Sequence, residues 1–170
     1  MSAIINGSSP SVTFSDGTTQ ATSAIVSGYV PYANLPAGSV LQVVNATTTS
    51  QTATSSTSYG ATSLTASITP KFSTSKILVI SNYELYVAIP TIKTITGLYR
   101  GASLISDGCA MLLGVSSSTQ ATVGFNYLDS PATTSSTTYA IYLKSSSNGS
   151  AVYFNPDGYI AGITLMEIAG

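Results

Sequence analysis

The stretch Lys76-Ile77-Leu78-Val79-Ile80-Ser81-Asn82-Tyr83-Glu84-Leu85-Tyr86-Val87-Ala88 decides the fold. Its odd positions, Ile77, Val79, Tyr83, Leu85 and Val87, are interrupted only by Ser81 and form one apolar face at the period of two that a pleated strand imposes. The even positions still hold Leu78, Ile80 and Tyr86, so the opposite face is not built for water alone. A strand that is apolar on both faces belongs at the centre of a sheet, covered on one side by its own chain and on the other by more chain or a neighbour. Pro90 and Thr91 then turn the backbone into a second strand over 92–100.

Working outward, similar signals recur at 39–48, 52–58, 63–69, 103–105, 109–113, 120–128, 137–144, 151–154 and 160–168. Turn formers separate them: Tyr59-Gly60, Asp107-Gly108, Ser147-Asn148-Gly149 and Asp157-Gly158. Many short strands at this spacing predict an all-β sandwich, and no segment carries a capped 3.6-residue period. The first 36 residues differ. Pro10, Pro31, Pro36, Gly7, Gly17 and Gly28 break the apolar residues into pieces too short for a core. The expected organisation is an extended N-terminal attachment arm over 1–36 and a β-sandwich oligomerisation or tip domain over 37–170.

Composition narrows the function. Only 6% of the 170 residues are charged, the net charge is −1, and there is no His. Without His the common catalytic triads and zinc sites are unavailable. Five Lys and Arg make no face able to neutralise a nucleic-acid backbone or grip anionic lipid. The single Cys109 excludes an intrachain disulfide, and its apolar surroundings predict a buried, inert thiol. No apolar run is long enough to span a bilayer, and no signal peptide is read at the N-terminus. Ser and Thr fill 53 positions. With so few charges, much of the surface is expected to lie against other chains while hydroxyls solvate the rest.

Candidate chemistry is sparse. Asp16, Asp107 and Asp157 each precede Gly, where Asp serves turn geometry. No acidic spacing suggests calcium, and neither metal nor cofactor is expected. A glycosidase pair of Glu84 and Asp129 has no sequence support. Glu84 and Arg100 read either as solvated sheet charges or as an ion pair fixing register. With Leu78, Ile80 and Tyr86 they form the candidate subunit interface. Three N-glycosylation sequons, at Asn6, Asn45 and Asn148, are chance matches in a chain so rich in Ser and Thr. Tyr59, Tyr153 and Tyr159 are the candidate glycan contacts, because Tyr offers amphipathic area at low entropic cost.

Several phrases together resemble fibre-like virion structural proteins of tailed bacteriophages. They are Val12-Thr13-Phe14-Ser15-Asp16-Gly17-Thr18-Thr19-Gln20, Gly38-Ser39-Val40-Leu41-Gln42-Val43-Val44, Ile68-Thr69-Pro70, Ser73-Thr74-Ser75-Lys76-Ile77-Leu78-Val79, Gly97-Leu98-Tyr99-Arg100-Gly101, Leu128-Asp129-Ser130-Pro131 and Ile163-Thr164-Leu165-Met166-Glu167-Ile168. The resemblance carries no catalytic motif. It implies a jelly-roll-like β-sandwich, often a homotrimer, made in a host cytoplasm and placed on the virion exterior as a short tail fibre or similar appendage. The arm residues Val12, Phe14, Asp16, Gly17, Ile25 and Val26 would attach it to tail, neck or capsid proteins, and the tip would contact a host surface glycan. The alternatives are a capsid decoration or cement protein, a head or neck fibre, and, from another class, a carbohydrate-binding module. No enzyme activity, nucleic acid or membrane insertion is expected.

Overall fold

The computed structural model describes residues 4–5, 11–13, 15–21, 30–115 and 118–170. The chain divides into two compact units, Met1–Ser39 and Val40–Gly170. The first contains three short antiparallel strands, β1 (Ile4–Ile5), β2 (Ser11–Thr13) and β3 (Thr19–Ala21), in the order β1-β2-β3. The β2–β3 hairpin closes on Asp16, whose Oδ1 accepts bonds from the Thr18 N–H (2.9 Å) and hydroxyl (2.6 Å), while Gly17 supplies φ +82. These two hydrogen bonds hold the Asp16 carboxyl below its ordinary pKa. The arm is therefore partly paired with itself rather than simply extended. A 3-10 turn follows at Tyr32–Asn34.

The second unit holds β4 (Val40–Thr48), β5 (Thr52–Thr54), β6 (Gly60–Ile68), β7 (Lys76–Val87), β8 (Lys93–Arg100), β9 (Ser103–Leu113), β10 (Thr119–Asp129), β11 (Thr137–Ser145), β12 (Val152–Phe154) and β13 (Ala161–Ile168). β13 and β12 pair with successive halves of β7, and β4 and β5 pair with β13 and β12 in turn. Each couple is one interrupted row, so the unit has eight rows in two antiparallel sheets. Numbered in chain order, the rows run 1-8-3-6 (β4/β5, β13/β12, β7, β10) and 2-7-4-5 (β6, β11, β8, β9). That is the winding of a jelly roll, two nested Greek keys.

The core lies between the sheets. From β7, Ile77, Val79, Leu85 and Val87 are fully buried. Leu64 and Ile68 of β6, Leu98 of β8 and Ile141 and Leu143 of β11 face them from the second sheet, and Ile163 and Leu165 of β13 flank them within the first. Removing each such side chain from water contributes about 1.5–3 kcal/mol. Tyr83 packs on Phe154 with ring centres 5.1 Å apart, and its hydroxyl meets the Thr96 hydroxyl at 2.7 Å.

Two expectations change. The segments 103–105 and 109–113 are one strand, because Asp107-Gly108 forms a bulge rather than a turn. Gly108 takes φ +62, and the β8–β9 register shifts twice between Thr96 and Tyr99. Cys109 is only partly buried, though burial still raises its thiol pKa.

Candidate functional site

Because β7 is central, its even positions form the outer face of the first sheet together with their cross-strand partners. Val43, Met166, Leu78 and Leu128 stand opposite one another in a row across all four strands. Val43 and Leu128 are each about half exposed, and Ile80 in the next row is 43% exposed. Ile80 lies between Thr164 and Asn126, with Asn45 beyond, so this row too has no charge. The result is an apolar band on a face that no other layer of Val40–Gly170 covers.

The remaining candidate interface residues separate from Leu78 and Ile80. Tyr86 is half-buried against Tyr153, ring centres 5.5 Å apart. Glu84 is on the same face but 92% buried, and the Asn155 N–H donates to the Glu84 backbone carbonyl at 2.8 Å. Its Oε1 accepts from Gln120 Nε2 at 2.6 Å, and the same nitrogen donates to Asp157 Oδ2 at 2.7 Å. Arg100 is elsewhere, at the end of β8 in the other sheet. It does not pair with Glu84: its Nη1 donates to both oxygens of Asp129, at 3.0 and 2.9 Å. The Tyr139 hydroxyl adds a third bond to Asp129 at 2.6 Å. Burial, and then that bond to a carboxylate, pushes the Tyr139 phenol pKa up. Since β10 lies in the first sheet and β8 and β11 in the second, this cluster ties the sheets together.

Glu84 and Asp129 cannot act as a pair of glycosidase acids. Asp129 stands opposite Ile77 and Thr122 opposite Glu84, so seven residues separate the two levels, roughly 23 Å along a strand. A sugar-cleaving pair needs roughly 5–10 Å. A shallow concavity of about 330 Å³ beside Arg100 is lined by Pro131, Thr133, Ser136 and Thr137 and brings no second acid or base.

The candidate glycan tyrosines fall in three places. Tyr59 covers Gly97 on the outer face of the second sheet, where a Cβ at Gly97 would come within 2.9 Å of its ring. Its hydroxyl makes a short bond to Asp107, and Lys144 Nζ lies 4.1 Å over its ring and 3.3 Å from Asp107. Burial, then the bond to Asp107, raises the Tyr59 pKa, and the Tyr59 and Lys144 contacts lower that of Asp107. Tyr99 joins edge-on and stacks on Tyr142 at 3.8 Å. Tyr153 belongs to the first sheet, and Tyr159 stands 65% exposed beside Ile160 at 71% in the loop between β12 and β13. Of the arm residues, Phe14, Ile25 and Val26 lie outside the described residues, Val12 pairs with Gln20 in the hairpin, and Asp16 and Gly17 form its turn.

Sequence reasoning missed the meeting of Glu84, Gln120, Asn155 and Asp157. These residues come from two strands and one loop, and no spacing announces them. Among the described residues no three His, Cys, Asp or Glu side chains converge as metal ligands.

Residues 40–170 thus form an all-β jelly-roll sandwich of two four-row sheets. No protein-family model and no curated relative matches the chain. Among solved structures it is similar to the infectious bursal disease virus Gx strain (TM-score 0.44, 14% identity, 75% of this chain and 36% of that one). It is also similar to the Gt strain of that virus (0.44, 14%, 92% and 45%) and to the VP2 subviral particle of infectious bursal disease virus (0.41, 16%, 78% and 34%). The chain spans less than half the length of each of these. Likeness at that level transfers no role.

Proposed function

We propose that the chain is a non-enzymatic virion structural protein, a homotrimeric surface appendage of the tail-fibre type. Residues 40–170 assemble, and the arm attaches the trimer to other virion proteins. The observation that carries this reading is the apolar band of Val43, Met166, Leu78 and Leu128, with Ile80 beside it, on a chain with almost no charge to keep such a face in water. A second copy of the chain is the occupant that best fits it, because the chain carries a further apolar patch made of different side chains. Met111 and Leu113 on β9 and Ile89 and Val115 in the adjoining loops are 41–74% exposed. Backbone bonds between Thr91 and Gly114 and between Gly114 and Ile92, each 2.9 Å, hold those loops together. A two-fold dimer uses one self-complementary patch, whereas a ring joins two different ones. Two dissimilar patches favour the ring.

Attachment through the arm is supported by β1 and β3, which form the two edges of their small sheet. Such edges accept an added strand from a partner. Placement on tail, neck or capsid follows whichever partner supplies it. A carbohydrate-binding module is the second reading, favoured by the exposure of Tyr159, and a glycan array probed with wild type and Tyr159→Ala tests it. The principal test is the mass of the full chain by light scattering over a range of concentrations. A trimer is expected, and a strictly monomeric species overturns the reading. A chain beginning at Gly38 should still be trimeric, at its own lower mass, and fail to enter particles.

A further inference from the structure

The neighbourhood of Glu84 is electrostatically incomplete. One amide nitrogen, Gln120 Nε2, serves both the Glu84 and the Asp157 carboxylates, at 2.6 and 2.7 Å. Among the described residues neither acid has a Lys or Arg within ion-pair distance. Glu84 is 92% buried and its Oε2 has no hydrogen-bond partner. A buried carboxylate left in that state costs far more than a buried neutral group. The adjacent Asn155 is 99% buried, and its Oδ1 is likewise without a partner. Its position is well determined by its other bonds. The Asn155 N–H donates to Glu84 O, and its Nδ2 donates to Tyr159 O at 2.8 Å, which keeps the side chain inside the loop that also carries Asp157. Asn155 adopts φ +50 and Gly158 φ +66 to make this compact loop.

We propose that Glu84, Asp157 and Asn155 form a calcium site that fastens the β12–β13 loop onto the outer face of the first sheet. Every donor is a hard oxygen, as calcium requires, and no thiolate or imidazole is present to favour zinc. Two oxygens bound to one calcium at 2.3–2.6 Å are at most about 5 Å apart, and the shared nitrogen at 2.6 and 2.7 Å keeps Glu84 Oε1 and Asp157 Oδ2 close to that limit or inside it. Rotation of the Gln120 amide would turn its oxygen inward as a further ligand. The cation would give both orphaned oxygens a partner and neutralise two acids that now converge on one donor. With only two carboxylates the affinity belongs to the weak class, a Kd of roughly 10⁻⁴–10⁻³ M. The same loop displays Tyr159 and Ile160, so calcium would govern how firmly those exposed side chains are presented.

The test uses the full chain, stripped with EDTA and melted with increasing calcium chloride, with magnesium chloride and sodium chloride as controls. The expected result is a rise in Tm of roughly 5 °C at 10 mM calcium, with a smaller response to magnesium and none to sodium chloride of matched ionic strength. Terbium should luminesce on excitation of the nearby tyrosines and be displaced by calcium. Asp157→Asn, at an exposed position, should fold normally and lose the calcium shift. Glu84→Gln should do the same while melting no lower than wild type in EDTA. An unchanged Tm up to 10 mM calcium overturns the proposal, as does a calcium shift of full size in Asp157→Asn. So does a calcium-insensitive wild type less stable than Glu84→Gln, which would mark a buried acid with no cation of its own.

Discussion

Strand β7 carries aliphatic side chains on both faces, and the two faces differ in what meets them. Ile77, Val79, Leu85 and Val87 point into the sandwich and have no exposed surface, while Ile80 on the other face keeps 43% of its surface open. The same backbone presents aliphatic side chains on both sides. What differs is the partner: a second sheet of the same chain on one side, and on the other only the loop over Glu84. Acidic groups divide in the same way. Asp129, in the cluster that ties the two sheets together, receives an arginine and a phenol. Glu167, fully buried on β13, receives the Lys71 N–H at 2.7 Å and Gln42 Nε2 at 2.5 Å. Glu84, on the outer face, has one oxygen with no partner. The acids of the inner face find their partners within one chain, whereas the acid of the outer face does not.

The largest effect should come from breaking the inner face. Leu85→Asp places an unpaired charge where no surface is exposed, at a cost of more than about 4 kcal/mol. That approaches the whole stability of a domain this size. The expected outcome is an insoluble or unfolded chain by circular dichroism; a folded, soluble variant would show that the face is not closed. An intermediate effect is expected at the tie between the sheets. Asp129→Asn leaves the Arg100 guanidinium and the Tyr139 hydroxyl without their carboxylate. Arg100 is one-third exposed, which limits the loss, and about 2 kcal/mol is expected from chemical denaturation. Less than about 0.5 kcal/mol would mean that apolar packing alone holds the sheets at that end.

The inner face was legible in the sequence because alternation is a local signal. Ile77, Val79, Tyr83, Leu85 and Val87 announce their common side without knowledge of any partner strand. The doubly apolar character of β7 likewise marked it as central. Other features depend on register between distant segments. Arg100 reads as a partner for Glu84 in a linear scan, yet it ends β8 while Glu84 lies midway along a strand of the opposite sheet, and Asp129 is the acid that the β10 register delivers to it. Asp107-Gly108 has the chemistry of a turn, but left-handed φ suits a bulge equally well, and only pairing along β8 decides between them. The grouping of Glu84, Gln120, Asn155 and Asp157 needs β7, β10 and a loop at once, so no motif could reveal it.

The smallest effect on the fold, and the sharpest division between the two faces, is expected from Ile80→Asp. Ile80 touches none of the buried core, its cross-strand neighbours Thr164 and Asn126 are polar, and 43% of its surface is already exposed. A carboxylate there can stay hydrated, so the separated chain should lose no more than about 0.5 kcal/mol, as surface substitutions commonly do. Against a second copy the same carboxylate would be desolvated beside Leu78 and Leu128 with no cation in either neighbouring row, which is far more costly. The variant should therefore unfold at nearly the denaturant concentration of a dissociated wild-type chain while its mass by light scattering falls to that of the monomer. Leu113→Asp, on the other apolar patch, should give the same folded monomer if the contact joins two different surfaces. If it leaves the assembly intact while Ile80→Asp dissolves it, the outer face of the first sheet meets itself and the symmetry is two-fold. If Ile80→Asp remains fully assembled and fully stable, the outer face of β7 is an ordinary solvent face, and the shortage of charge must be met by the serine and threonine hydroxyls alone.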